Sequence, residues 1–254
     1  GVGLGAFTAG ILIEQYSWHA AFILPGIISL FIGIGLIWHI KSKKISLKNI
    51  ISEKFSENPE PNQYLKIAII MLISITCMAF VFHILQTSLP KTIDIRLSAN
   101  MDLSTSEIGY IVAAIYVVSG LMNYVGGILA DKFSEKIIYA IGIIGQGCLL
   151  LLIISLANYW LIAICLLIVA FNSSILPAEN LLLARFAPEK YQSLVYGIKF
   201  IIAFSIGPIA LVLISKSYEL TNEFSYLYLA LGIMMLCLFI IILTLPVKKQ
   251  ALAS

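Results

Sequence analysis

Glu179 and Lys199 are the residues of this chain whose types and spacing most invite chemistry. Each is an ionisable side chain set in an apolar run, about seven residues from the polar stretch between the two runs. On consecutive antiparallel helices they would lie at similar depth and face each other. Two chemistries stay open for such a pair. It can be a structural ion pair, or Lys199 can snorkel to the membrane edge and leave Glu179 behind. Alternatively, Lys199 can meet an anionic group of a ligand, or Glu179 can take up and release a proton. Asn172 precedes Glu179 by two helical turns on the same face and is placed to hydrogen-bond a ligand at mid-depth. His83 and Gln86 share a face with Thr76 and Thr87, while Tyr116 and Asn123 form a second stripe with Ser119, Gly120 and Gly127. Polar groups cost free energy in lipid, so specificity is expected to lie among these residues.

Other chemistries find no footing. His19, His39 and His83 stand apart, with no H-x-x-x-H or H-E-x-x-H pairing. Cys77, Cys148, Cys165 and Cys237 each sit alone in apolar sequence, so neither a metal site nor a disulfide framework is expected. Buried spectator thiols are expected instead. No Gly-x-x-x-x-Gly-Lys loop offers to hold a nucleotide phosphate, and no basic stripe interleaved with aromatics suits a nucleic acid. No cofactor and no enzymatic activity are expected.

The elements that must carry these residues follow from composition. Of 254 residues, 60% are hydrophobic and 11% charged, where a soluble domain carries about 25% charge. Seven stretches reach the roughly 20 apolar residues a bilayer crossing needs: 18–40, 65–90, 107–130, 137–156, 159–184, 193–215 and 224–247. An eighth, 1–13, is too short and reads as the second half of a helix whose beginning is missing. Alternating spans place residues 41–66, 131–136, 185–190 and the C-terminal tail on one side, with twelve of the sixteen Lys and Arg. Lys91, Arg96 and Lys216 fall on the other side. By the positive-inside rule the lysine-rich side is cytoplasmic. Ile45, Leu47, Ile50, Ile51 and Phe55 recur on one helical face among lysines, which suits a short helix on the membrane surface. Asn58-Pro59-Glu60-Pro61-Asn62 then breaks any helix before the next span.

The turn after the third full span reads Gly126-Gly127-Ile128-Leu129-Ala130-Asp131-Lys132-Phe133-Ser134-Glu135-Lys136. A small residue lets helices approach, and a carboxylate at the membrane edge can pair or cap reversibly. The turn resembles the G-x-x-x-D-[R/K]-x-G-[R/K] loop of the major facilitator superfamily. Gly127, Asp131 and Lys132 match in place, Ser134 stands where the family prefers Gly, and the last basic residue is displaced to Lys136. The start, Gly1-Val2-Gly3-Leu4-Gly5-Ala6-Phe7-Thr8-Ala9-Gly10, is similar to the family's fifth-helix signature through Gly1, Gly5 and Gly10. Without the family, these are helix-packing glycines. Trp18-His19-Ala20-Ala21-Phe22 resembles the W-R-x-x-F opening of the sixth helix.

The resemblance implies an all-α, polytopic helical bundle of seven full spans plus one truncated N-terminal span, corresponding to helices five to twelve. Residues 1–40 would end the N-terminal half, 41–64 would join the halves, 65–247 would be the C-terminal six-helix half, and 248–254 a cytoplasmic tail. It further implies a secondary transporter that moves a small solute between two halves by alternating access. Asn172, Glu179, Lys199, His83, Gln86, Tyr116 and Asn123 are the candidates for its substrate and ion pathway, and Gly127, Asp131, Lys132 and Lys136 for its cytoplasmic gate. The expected partners are a small-molecule substrate, a coupling proton or other ion, and the lipid bilayer. A monomer in the cell membrane, of bacterial inner-membrane type with its C-terminus cytoplasmic, completes the expectation. A non-transporting receptor or scaffold on the same fold is the main alternative.

Overall fold

The computed structural model describes residues 12, 17–43, 61–98, 105–187 and 191–245. Within them lie seven helices long and apolar enough to cross a membrane, and no strand. The helices are α1 Ala20–Lys43, α2 Pro61–Ser98, α3 Thr105–Lys132, α4 Glu135–Leu152, α5 Trp160–Phe186, α6 Gln192–Thr221 and α7 Ser225–Leu243. The expected polytopic all-α membrane fold is thus observed. Gly1, Gly5 and Gly10, the surface helix expected around 45–55, and the 248–254 tail lie outside the described residues. The chain divides into two compact units, Gly1–Ser56 and Glu57–Ser254.

In the first unit, α1 follows a turn in which the Ala20 amide donates to the Ser17 carbonyl at 3.1 Å. Trp18 rests against the His19 ring, with centroids 3.7 Å apart. Nearly every position from Ala20 to Trp38 is apolar or Gly, the pattern of a helix surrounded by lipid rather than one with a single buried stripe.

The second unit is a bundle of six helices. Helices α2, α4 and α6 run from one end of the bundle, the near end, to the other, the far end, and α3, α5 and α7 run back. Helix α2 is central and touches α3, α5, α6 and α7, while α4 packs between α5 and α7, and α3 lies along α5. Consecutive helices α5 and α6 meet only sparsely. Large apolar side chains such as Leu121, Tyr124, Phe204, Leu211 and Ile240 point outward from the unit. Lipid tails are as apolar as leucine, so these helices are held by close packing and polar contacts rather than by hydrophobic transfer.

Glycine supplies the closest packing. A Cβ on Gly126 of α3 would overlap the backbone of Ser174 on α5, whereas one on Gly127 would meet nothing within 4 Å. Gly147 of α4 and Gly232 of α7 approach so closely that a Cβ on either lies 3.3–3.4 Å from the other's carbonyl oxygen. Within this unit the close approach of α3 to α5 is made at Gly126.

Helix α2 departs most from expectation. It begins on Pro61, whose missing N–H costs nothing in a first turn, so the expected break extends only up to that residue. It also runs through Pro90 to Ser98, beyond the expected end of the span. Around Pro90, the Ser88 hydroxyl donates to the Ile84 carbonyl at 2.7 Å and the Thr92 hydroxyl to the Ser88 carbonyl at 2.8 Å. The Tyr228 hydroxyl of α7 lies 2.9 Å from Ser88 Oγ and 2.6 Å from Thr92 Oγ1. These bonds tie the segment around the proline into the fold.

Arg96, expected in a loop, is buried in the last turn of α2. Its Nη1 donates to the Ile153 carbonyl at 2.5 Å and to the Leu156 carbonyl at 3.2 Å, where α4 unwinds through the 3₁₀ turn Ile153–Ser155. Its Nη2 reaches Ser225 Oγ at 2.9 Å and Glu223 Oε2 at 3.3 Å. One planar guanidinium thereby holds the end of α4 and the α6–α7 connection together. Two cysteines also differ from expectation: Cys77 and Cys165 are buried, but Cys148 and Cys237 are exposed on outward helix faces.

Candidate substrate and ion pathway

Glu179 and Lys199 meet at 2.5 Å, Oε1 to Nζ, with side chains only 2% and 10% exposed. Three further side chains complete the environment. Lys199 also donates to Asn180 Oδ1 at 2.7 Å. The Tyr139 hydroxyl, from α4, donates to Glu179 Oε2 at 3.1 Å. Ser74 Oγ, from α2, lies 2.5 Å from the Tyr139 oxygen. A continuous polar chain thus crosses four helices in the order Ser74, Tyr139, Glu179, Lys199, and all four residues are buried. Both carboxylate oxygens are engaged on opposite sides, one by a cation and one by a neutral hydroxyl. Both oxygens of this buried carboxylate are therefore satisfied by protein donors.

The ammonium has three N–H donors, of which Glu179 and Asn180 take two. Lys199 also lines a groove of about 620 Å³ between the near-end parts of α2, α5 and α6. Every other lining residue is apolar, including Met71, Ile75, Leu183, Phe186 and Ile198. The groove is therefore a greasy trough with one cation at its inner wall.

The remaining sequence candidates are distributed around this centre. Asn172 is 5% exposed, and its Nδ2 has no protein partner among the described residues. His83 lies midway along α2 rather than near a span end, because α2 is longer than its apolar stretch; its Nε2 is 2.9 Å from the Ala203 carbonyl of α6. Gln86 is half-buried one turn further along. Asn123 Nδ2 donates to the Ser173 carbonyl at 3.2 Å, and Ser119 bonds the Ser173 hydroxyl, so these two lie in the α3–α5 seam, while Gly120 and Gly127 of the same stripe face open space among the described residues. The Tyr116 hydroxyl is buried without a protein partner among the described residues. Of the candidates, only Glu179 and Lys199 form an ion pair or hydrogen bond with each other among the described residues.

At the near end, Asp131 and Lys132 are exposed. The turn is anchored instead by the two residues that follow Ser134. Glu135, 6% exposed, pairs with Arg185 of α5 at 2.5 Å. Lys136 donates to the Leu243 carbonyl at 2.8 Å and to the Leu245 carbonyl, neutralising the negative end of α7.

Tyr139, Ser74, Gln146, Glu135 and Arg96 were missed by sequence reasoning. Tyr139 had a signal, since Glu135, Tyr139 and Gln146 recur on one face of an otherwise apolar helix. Ser74 had none, being a small hydroxyl among many. No cluster of three or more His, Cys, Asp or Glu that would hold a metal exists among the described residues.

Residues 71–253 match the Major Facilitator Superfamily, and the chain belongs to that family. Its members are membrane transporters rather than enzymes. No match was found among curated proteins.

Proposed function

We propose that this member of the superfamily is a secondary active transporter that moves a small organic anion with an apolar body, by alternating access between two six-helix halves. The observation that carries the reading is the position of Lys199, at once paired with Glu179 and lining the apolar groove. A solute whose apolar part fills the groove brings its anionic group to the third donor of the ammonium. As Lys199 turns toward that group, Glu179 loses its cation in a low-dielectric setting and takes a proton from water. Release of the solute reverses both steps, returning the proton and re-forming the pair. Solute and proton then move together, so a proton gradient can drive accumulation. The groove lies at the near end, which this reading takes as the cytoplasmic side of a bacterial inner membrane, with the C-terminus on the same side, because Lys and Arg concentrate in the connections there. Residues 1–40 would complete the N-terminal half, and the full-length protein works as a monomer.

The test uses proteoliposomes containing the full-length protein and radiolabelled 1-octanesulfonate, whose permanent charge limits leakage through lipid. Saturable uptake driven by an inward proton gradient, and reduced at least tenfold in Glu179→Gln, is the expected result. Absence of saturable flux under any imposed gradient would favour a non-transporting scaffold. Thiol labelling of Phe133→Cys from the inside and Leu220→Cys from the outside checks the orientation.

A further inference from the structure

Three polar side chains inside the second unit hold atoms with no protein partner among the described residues: Tyr116 at its hydroxyl, Gln146 at both amide atoms, and Asn172 at Nδ2. Gln146 is 0% exposed. An amide removed from water without a compensating bond costs about 1–3 kcal/mol by protein mutational data. Apolar residues of similar volume would fill the same space without that cost, so these groups require a partner that the protein does not supply.

The helix registers bring them together. The Tyr139–Glu179 bond fixes the antiparallel register of α4 on α5, and Gly142 against Ile175 and Gly145 against Phe171 continue it. Two helical turns from that bond toward the far end lies Gln146 on α4, on the face of Tyr139. Two turns from it in the same direction lies Asn172 on α5, on the face of Glu179. The two amides therefore stand at one level, roughly 10 Å along the helices from the carboxylate. Helices α3 and α5 run parallel, and Ser119 on Ser173 sets their register. Tyr116, one turn nearer the far end than Ser119, continues the line.

We propose that Gln146 and Asn172 form a water-binding site in the interior of the six-helix half, between Glu179 and Tyr116. A carboxamide offers donors and an acceptor without net charge. That suits water, which takes two to four polar partners, better than a cation, which demands several oxygen ligands. The site places water on the Tyr139 side of Glu179, opposite Lys199 and the groove. If Glu179 exchanges protons as in the transport reading above, this water forms a proton path to the carboxylate on the side away from the groove. The titratable groups around that path are Tyr139 and Lys199 against the carboxylate, Cys77 of α2 near Tyr139, and Tyr116 at the outer end with Tyr228 and Cys165 near it.

The test is infrared spectroscopy of the full-length protein in lipid nanodiscs, in ordinary water and in water enriched in oxygen-18. Internal water gives a stretching band that shifts with the isotope, and an amide–amide contact gives none. The native protein is expected to show the band. Gln146→Leu and Asn172→Leu are each expected to lose more than half of it, and Tyr228→Phe, at a hydroxyl bonded within the protein, to keep it. No shifted band in the native protein, or a band that survives both leucine variants, overturns the proposal. Should one leucine variant fail to fold, the native spectrum and the other variant decide. Octanesulfonate flux on the same preparations reports separately on the transport reading, since a hydrated but non-transporting protein keeps the band and shows no flux.

Discussion

Glu179 Oε1 and Lys199 Nζ lie 2.5 Å apart on consecutive helices whose backbones approach at few points. The helices are also joined by Tyr196 to the Asn180 carbonyl and Gln192 to the Ala184 carbonyl. The pair, together with the Lys199–Asn180 bond, is therefore a principal tie between α5 and α6. A tie made of opposite charges in a dry setting is strong while both partners are present and costly when one is removed.

Removing one charge is accordingly worse than removing both. Glu179→Gln or Lys199→Met is expected to destabilise the protein by about 3–5 kcal/mol, and the Glu179→Leu/Lys199→Met double variant to recover most of the loss. Thermal unfolding in detergent measures this. Exchanging the residues, Glu179→Lys with Lys199→Glu, separates the roles. A purely structural pair regains part of its transport, whereas a lysine that must meet the solute from α6 leaves the exchanged protein inactive. Restored flux in the exchanged protein counts against the groove mechanism.

Arg96 does at the far end what no lysine can. Its two terminal nitrogens serve four acceptors on two separate connections. Arg96→Lys keeps the charge but cannot span them. It is expected to lower stability by about 1.5–3 kcal/mol, the range for hydrogen bonds to charged groups, and to expose the α4–α5 and α6–α7 connections to protease. Equal melting temperatures and digestion patterns would show that the clamp contributes nothing.

The spans were readable because membrane helices declare themselves by long apolar runs, and Glu179 and Lys199 because ions interrupt such runs rarely. Tyr139 escaped notice for the opposite reason. A tyrosine in an apolar helix is ordinary at a membrane interface, and its recurrence with Glu135 and Gln146 on one face is a faint signal that only the contact with Glu179 makes specific. The end of α2 was misplaced because Pro90 and the charges beyond it mark a boundary in sequence, while Arg96 is satisfied by carbonyls distant along the chain. The role of Gly126 against Gly127 was undecidable for a similar reason. Adjacent glycines differ by about 100° around a helix of 3.6 residues per turn, and only the packed partner shows which one faces it.

That distinction is testable. Gly126→Ala places a methyl group into the Ser174 backbone and is expected to cost about 1–3 kcal/mol through overpacking. Gly127→Ala has open space within this chain and is expected to stay within about 0.5 kcal/mol of the native protein in stability. If the Gly127 variant folds normally yet loses transport, Gly127 instead contacts the opposing half during the cycle. If the two variants are equally stable, α3 and α5 are not in the close contact found here.

Asp131 is the motif residue for which stability and function should part most cleanly. It is exposed at the end of α3, and the turn around it is already held by Glu135 on Arg185 and Lys136 on the end of α7. Asp131→Asn removes a charge and no contact that holds the six-helix half together. Its melting temperature should match the native protein's, and its affinity for octanesulfonate should change less than twofold. Transport should nonetheless slow by about tenfold or more, as expected if the carboxylate makes and breaks a charge-assisted contact of roughly 1.5–3 kcal/mol with the other half during each cycle. Normal flux in Asp131→Asn would remove Asp131 from the gate. A loss of binding with unchanged folding would place it in the solute path instead.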